Sequence, residues 1–203
     1  MKRTILTILC VSLMVLSAGA QNAAKAKQIL DKTASIISNK GGASANFKIS
    51  GSKTGTTSGQ ISIKGNKFYA STPEAMMWYN GKTQWTYLKS AQEVNVSNPN
   101  DAQQARLNPY KFITLYKSGY TLSMKNVSGG YEVHLVAQNS KRPIKEMYIT
   151  VNSKTYLPST VKIQSGGSWT TITISNFRTA NLSDSMFTFN SKDFPKAEVI
   201  DLR

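Results

Sequence analysis

The chain has 203 residues, with 25 basic against ten acidic side chains, a formal net charge of +15 and one cysteine. That length suits one domain able to bury roughly 70% of its unfolded surface, and a lone cysteine excludes an internal disulfide framework. So basic a balance raises nucleic-acid binding, yet no RRM, KH or helix-turn-helix signature is present; scattered lysines give solubility first, then attraction to anionic headgroups or to an acidic partner.

Lys2 and Arg3, the apolar run from Thr4 to Leu16 and the small residues Ala18-Gly19-Ala20 read as a cleavable signal peptide over residues 1–20. Residues 21–203 are then expected as a single exported domain with 23 basic side chains. Cys10 lies inside the apolar run, too early for a lipid-modified residue, and the run falls short of the roughly 20 residues of a spanning helix. Gln21 to Lys40 follows as an amphipathic helix: Ala26, Ile29, Leu30, Thr33, Ile36 and Ile37 fall at spacings of three and four, Lys25, Lys27, Lys32 and Lys40 face away, and Gly41-Gly42 ends it.

From there the period becomes two. Ala45, Phe47 and Ile49 alternate with polar residues, Ile61 and Ile63 repeat the pattern after a Gly/Ser/Thr loop, and Phe68 and Ala70 continue it. Pro73 to Val96 reads as a run of strands in which Asn80-Gly81 marks a hairpin, and Glu93 to Ser97 closes that half of the sheet. Asn98 to Ala105 is polar; Asn108-Pro109 announces a short helix bearing Phe112, Ile113, Leu115 and Tyr116, stopped by Gly119. Strands return at Tyr120–Met124, Tyr131–Leu135, Met147–Val151, Val161–Ile163, Ile172–Ile174 and Phe187–Phe189. About ten strands, two helical pieces and no βαβ alternation predict a mainly β, α+β fold built on one large curved antiparallel sheet.

Catalytic chemistry is thin. His134 is the only histidine and alternates onto the polar side beside Glu132, with no second histidine or cysteine to complete a metal site or a nucleophile pair. The ten acids are scattered, and neither a P-loop nor a GxGxxG is present. We therefore expect no enzyme, no catalytic or metal residue and no cofactor. What remains is an apolar set, Met76, Met77, Trp78, Trp85, Tyr87, Met124 and Met147, which suits either an ordinary core or a pliable lining for acyl chains.

Pro73, Asn80-Gly81-Lys82-Thr83, Trp85-x-Tyr87 and Gln92-x-Val94, with Phe47 on the first strand, the proline-led helix at Pro109 and a tail of Met186-Phe187-Thr188-Phe189 and Ala197-Glu198-Val199-Ile200-Asp201, run in an order and spacing that resemble the LolA family of periplasmic lipoprotein carriers. The resemblance implies an incomplete barrel closed by a lid of short helices over a hydrophobic cavity for lipoprotein acyl chains. It implies a lining of Phe47, Ile49, Ile61, Ile63, Phe68, Met77, Trp85, Tyr87, Met124 and Met147, and a lid underside of Ile29, Leu30, Ile36, Phe112 and Leu115. The family's Arg-Pro-x-x-Phe falls on Lys64-Gly65-Asn66-Lys67-Phe68, so Lys64 takes the place of the arginine that latches the lid. A lysine offers a point charge instead of a planar fork, which implies a looser latch or one made elsewhere.

The partners implied are an inner-membrane lipoprotein-releasing transporter and an outer-membrane receptor or the outer membrane itself. A periplasmic monomer is expected. Two other readings stay open on the same fold: a lipid-binding sensor of envelope stress, and a structural module with a filled core and a basic face for anionic glycans.

Overall fold

A computed structural model describes residues 2–38, 40–53, 55–100, 103–104 and 114–203, the first seventeen of these as backbone only. The strands are β1 (Ala43–Gly51), β2 (Gly55–Lys64), β3 (Lys67–Ser71), β4 (Ala75–Tyr79), β5 (Gln84–Leu88), β6 (Glu93–Ser97), β7 (Tyr120–Val127), β8 (Gly130–Ala137), β9 (Ile144–Asn152), β10 (Pro158–Ser165), β11 (Ser168–Thr179) and β12 (Glu198–Asp201). They form one 12-stranded sheet in the order β12-β6-β5-β4-β3-β2-β1-β11-β10-β9-β8-β7. The sheet does not close, since β12 and β7 end it on either side. The fold is mainly β, an incomplete barrel with a helix laid across it.

Two departures from the sequence reading concern the tail. The last pairing is parallel, β12 running beside β6 with Val199 opposite Val94. Phe187 and Phe189 form no strand: Asp184–Phe187 is a 3₁₀ turn, because the Ser183 hydroxyl accepts from the Ser185 N–H and starts a helical turn instead. The β4–β5 hairpin is present, but through a four-residue loop. Asn80 Oδ1 accepts from the N–H groups of Lys82 and Thr83, and only Gly81 takes a positive φ, +101°.

The helix α1 spans Lys2–Ile37, running back through the expected leader, whose Leu, Ile, Val and Ala residues sustain a helix. Its C-terminal end stops before Gly42, where φ is +98°. Among the described residues, no helix is long and apolar enough to cross a membrane. Ala26, Ile29 and Leu30 of α1 are buried against Val133, Leu135, Met147, Ile149 and Val151 of β8 and β9, with Tyr116, from the 3₁₀ turn Leu115–Lys117, and Ile163 completing the core. The Asn108-Pro109 helix and its Phe112 lie outside the described residues.

Three side chains add direction to this packing. Asn22 uses both ends of its amide on the edge strand β7, donating to the Met124 carbonyl at 2.9 Å and accepting from the Met124 N–H at 2.7 Å. Buried Thr33 donates to the Tyr156 carbonyl at 2.9 Å, and Tyr116 donates to Asp31 at 2.6 Å. Asn22→Ala removes the two bonds to β7 and should lower the unfolding free energy by about 1–3 kcal/mol. Urea titration checks this: the midpoint falls and the slope stays unchanged.

Candidate functional site

Directly paired residues of neighbouring strands project to the same face. Met124 lies opposite Val133, Val133 opposite Ile149, Ile149 opposite Val161, Val161 opposite Ile172 and Ile172 opposite Ile49, so one apolar row crosses six strands. Ile149 and Val133 pack against α1, which fixes this as the helix-facing side. Phe47 shares it, opposite Ile174 and Gly59, and so does Ile61, opposite Ala45 and Ala70, with Ala70 opposite Met77. Ile63 lies opposite Phe68, whose ring sits 5.6 Å from that of Tyr79.

Eight of the ten expected lining residues therefore share the helix-facing side: Phe47, Ile49, Ile61, Ile63, Phe68, Met77, Met124 and Met147. Met147, Phe68 and Ile63 are buried, whereas Phe47, Ile49, Ile61, Met77, Ile172 and Ile174 are only half-buried. The helix covers the β7–β10 half of this surface, and the β1–β4 half keeps apolar area to offer. Gly59 keeps that area open around Phe47. A Cβ there would stand 2.9 Å from the Phe47 ring and 2.0 Å from the Ser71 carbonyl oxygen, so no larger residue fits beneath the ring. Alternation marks Ile172 and Ile174 as a strand, but their place beside Ile49 and Phe47 depends on a pairing between distant segments that spacing does not reveal.

Trp85 and Tyr87 are placed on the other side. They pair with Trp78 and Met76, which alternate away from Met77. There the tail covers Tyr87 and Trp78: Phe194 stacks 4.8 Å from Tyr87 and 5.5 Å from Trp78, and Phe189 lies 5.4 Å from Trp78. Phe187 is fully buried, on the 3₁₀ turn that lies against β3 and β4.

Of the expected lid residues, Ile29 and Leu30 are buried under α1, Leu115 packs against the same core, and Ile36 is half-buried; Phe112 lies outside the described residues. Lys64 does not reach α1 directly. Its Nζ donates to the Leu182 carbonyl at 2.8 Å and sits 3.0 Å from Asp184, which Lys67 also approaches at 3.1 Å. The Leu182 N–H in turn donates to the Gly41 carbonyl and the Ala180 N–H to Gly42, so Lys64 ties the start of the tail to the segment that ends the helix.

A notch of about 260 Å³ opens on the face away from the helix, between Ser123, Lys125, Glu132, His134 and Tyr148. His134 stacks on Tyr148 at 4.2 Å, and Glu146 accepts from both at 2.7 Å. These bonds, from Tyr148 first and His134 second, hold the Glu146 carboxyl below its ordinary range. The partner of His134 is thus Glu146, while Glu132 pairs with Lys125 at 2.8 Å. Among the described residues, no group of three or more His, Cys, Asp or Glu side chains could hold a metal ion.

Residues 16–167 match the family described as outer membrane lipoprotein carrier protein LolA. Among solved structures, an uncharacterized conserved protein from Thermus thermophilus is similar at 14% identity and a TM-score of 0.60, over 87% of this chain and 99% of that one. A LolA superfamily protein from Nitrosomonas europaea is similar at 13% identity and a TM-score of 0.45, over 81% of this chain and 97% of that one. LprF from Mycobacterium bovis follows at 10% identity and 0.46, over 80% and 96%. No curated protein matches. The Thermus structure shares the fold.

Asp184 is exposed, and the hydrogen bonds from Lys64 and then Lys67 lower its pKa below the ordinary carboxylate value. A depressed folded-state pKa gives stabilisation that is present above the unfolded value and lost as pH falls through the folded one. Attachment of the tail should therefore loosen below about pH 4, a dependence that Asp184→Asn abolishes. Amide exchange of residues 182–187 measured from pH 6 down to pH 3 reads it directly.

Proposed function

Because the chain belongs to the family of the outer membrane lipoprotein carrier protein LolA, we propose that it is a periplasmic carrier without catalytic activity, a monomer that takes the acyl chains of lipoproteins on its helix-facing surface. The observation that carries this reading is the half-buried patch of Phe47, Ile49, Ile61, Met77, Ile172 and Ile174 beside α1. It offers mainly apolar contact, with the Glu74 carboxylate reaching Thr57, opposite Ile49, at its rim, and so suits an acyl chain better than a polar substrate. Each methylene that leaves water contributes about 0.8 kcal/mol, so a few chains bind tightly through area alone.

The site lies on the β1–β4 half, next to the helix and not beneath it. Ile29 and Leu30 are already committed to the core, and Asn22, Asp31 and Thr33 hold α1 by hydrogen bonds, so α1 serves as a fixed wall. Ile36 stands at the edge of that wall. Cargo passes without covalent chemistry, from an inner-membrane releasing transporter to an outer-membrane receptor or the outer membrane. Residues 1–20 act as the leader that directs export, and residues 21–203 form the carrier domain.

The test uses protein recovered from the envelope fraction of cells expressing the full chain. Added to spheroplasts, it should release newly made lipoproteins as a one-to-one complex. Ile49→Glu and Ile61→Glu, which set a carboxylate in the patch, should lower release at least tenfold while thermal unfolding stays cooperative. Release by both variants at the wild-type level would remove the patch from the mechanism; no release by the wild type, with the transporter active, would remove the carrier reading.

A further inference from the structure

The turns β1–β2, β8–β9 and β10–β11 stand at one end of the sheet, since Gly51 lies opposite Thr170 and Ser165 opposite both Ser168 and Ile144. They are bonded to one another: Lys53 Nζ donates to the Gly166 carbonyl at 3.0 Å, and the Ser165 hydroxyl to the Pro143 carbonyl at 2.9 Å. This end carries Lys53, Lys141, Arg142 and Lys145. Their contacts are with backbone carbonyls and a ring. Lys145 donates to the carbonyls of Ser140 and Arg142, and the Arg142 guanidinium lies 4.9 Å over the Tyr120 ring. No carboxylate neutralises them in the ion pairs of the described residues.

Acids lie elsewhere on the same rim. Glu74 accepts from Thr57 beyond the β1–β2 turn, and Glu93 begins β6. Glu146, the one carboxylate beside the basic turns, is engaged by His134 and Tyr148. Lys89, on the β5–β6 turn of this rim, donates to the Thr72 carbonyl and stands near enough to Glu74 to offset it, so the excess of positive charge lies on the β7–β1 half.

The last row of residues before these turns is Val136, Glu146, Gln164 and Trp169, on the side away from the helix. Trp169 is 40% exposed and Val136 42% exposed. Trp169 stands 5.8 Å from the Tyr148 ring, while the next outward positions of β11 are Thr171 and Thr173. An indole and a valine in water next to cations that no ion pair of the described residues neutralises form a surface with an apolar edge and a positive rim. That combination suits the headgroup zone of a bilayer, where indole rings partition and lysines meet phosphates. The cations are spread over two turns and the start of β9, which fits a fluid anionic surface better than a shaped acidic protein.

We propose that this end of the sheet, with Lys53, Lys141, Arg142, Lys145 and Trp169, docks the protein on a bilayer surface rich in anionic phospholipid headgroups. The contact is electrostatic and reversible, weakening as salt rises. It is independent of what cargo the helix-facing patch holds, and it can be tested with vesicles that contain no lipoprotein.

The experiment is flotation of the envelope-recovered protein with vesicles of phosphatidylcholine alone or mixed with phosphatidylglycerol. Binding is expected to the mixed vesicles only, and to fall as NaCl is raised. Lys53→Ala combined with Lys141→Ala should weaken it on the order of twenty-five-fold, about five-fold for each lysine. Lys192→Ala with Lys196→Ala, an equal loss of charge on the exposed tail, should leave it within two-fold. The tryptophan emission of the wild type should shift to the blue on the mixed vesicles, and Trp169→Phe should remove that shift while Trp78 and Trp85 remain. Absence of binding to the mixed vesicles, equal binding to neutral ones, or equal weakening by the tail pair would overturn the proposal. So would capture by soluble polyglutamate as strong as by the vesicles with no emission shift, which would assign the surface to an acidic protein.

Discussion

The pairing of β1 with β11 is the joint on which the rest of the molecule depends. It brings together strands more than a hundred residues apart and thereby joins a half built from β1–β6 to a half built from β7–β11. The row Met124, Val133, Ile149, Val161, Ile172 and Ile49 exists because the register is held across that joint. A slip of one residue would turn Phe47 and Ile49 to the opposite face and bring Lys48 to the helix side. Burial enforces the register: Val133 and Leu135 are fully shielded by α1 at one end of the sheet, so the apolar face must continue in phase to the other.

A sheet of this size covers its two faces by different means. Helix α1 takes the β7–β10 half of one face, and the tail takes the β3–β6 part of the other, with Phe189 and Phe194 set on Trp78 and Tyr87. The two covers meet at residues 180–184, which are bonded to Gly41 and Gly42 on one side and to Lys64 on the other. Lys64 thus works at the junction of both covers. Leu182 is wedged where a side chain at Gly42 would stand, within 2.9 Å, so the helix end and the tail leave each other little freedom. The point charge of a lysine serves here because its partners, a carbonyl and an exposed carboxylate, do not require a planar fork.

Alternation was sufficient to read most strands, and the three-and-four spacing sufficient to read which side of α1 is buried. It failed where both phases are apolar. In Ala75-Met76-Met77-Trp78-Tyr79 every position is hydrophobic, so period two assigns no face, and Trp85 and Tyr87 inherit that ambiguity through their pairing with Trp78 and Met76. What decides it is Phe189 and Phe194, about a hundred residues further on, and no local pattern couples those segments. The same reason hid β12: a four-residue strand in parallel with β6 carries no turn signal to announce it. In the full chain helix α1 runs on from the leader, since nothing in residues 16–23 breaks a helix.

The positions of the patch and of the basic turns on one sheet bear on how a carrier would exchange cargo. Ile49 is two residues from Gly51, the end of β1 at the basic turns, and Met77 is two residues from Ala75, the start of β4 on the same rim. At about 3.3 Å per residue, each lies roughly 7 Å from the end of its strand. An acyl chain leaving a bilayer docked at that end would therefore meet Ile49 and Met77 before its whole length had crossed water. The exposed apolar length at any moment is then a few methylenes and not a full chain, and each methylene kept from water lowers the barrier to transfer by about 0.8 kcal/mol. Charge on the turns and apolar area on the helix side would act in sequence, the first bringing the protein to the surface and the second drawing the chain from it.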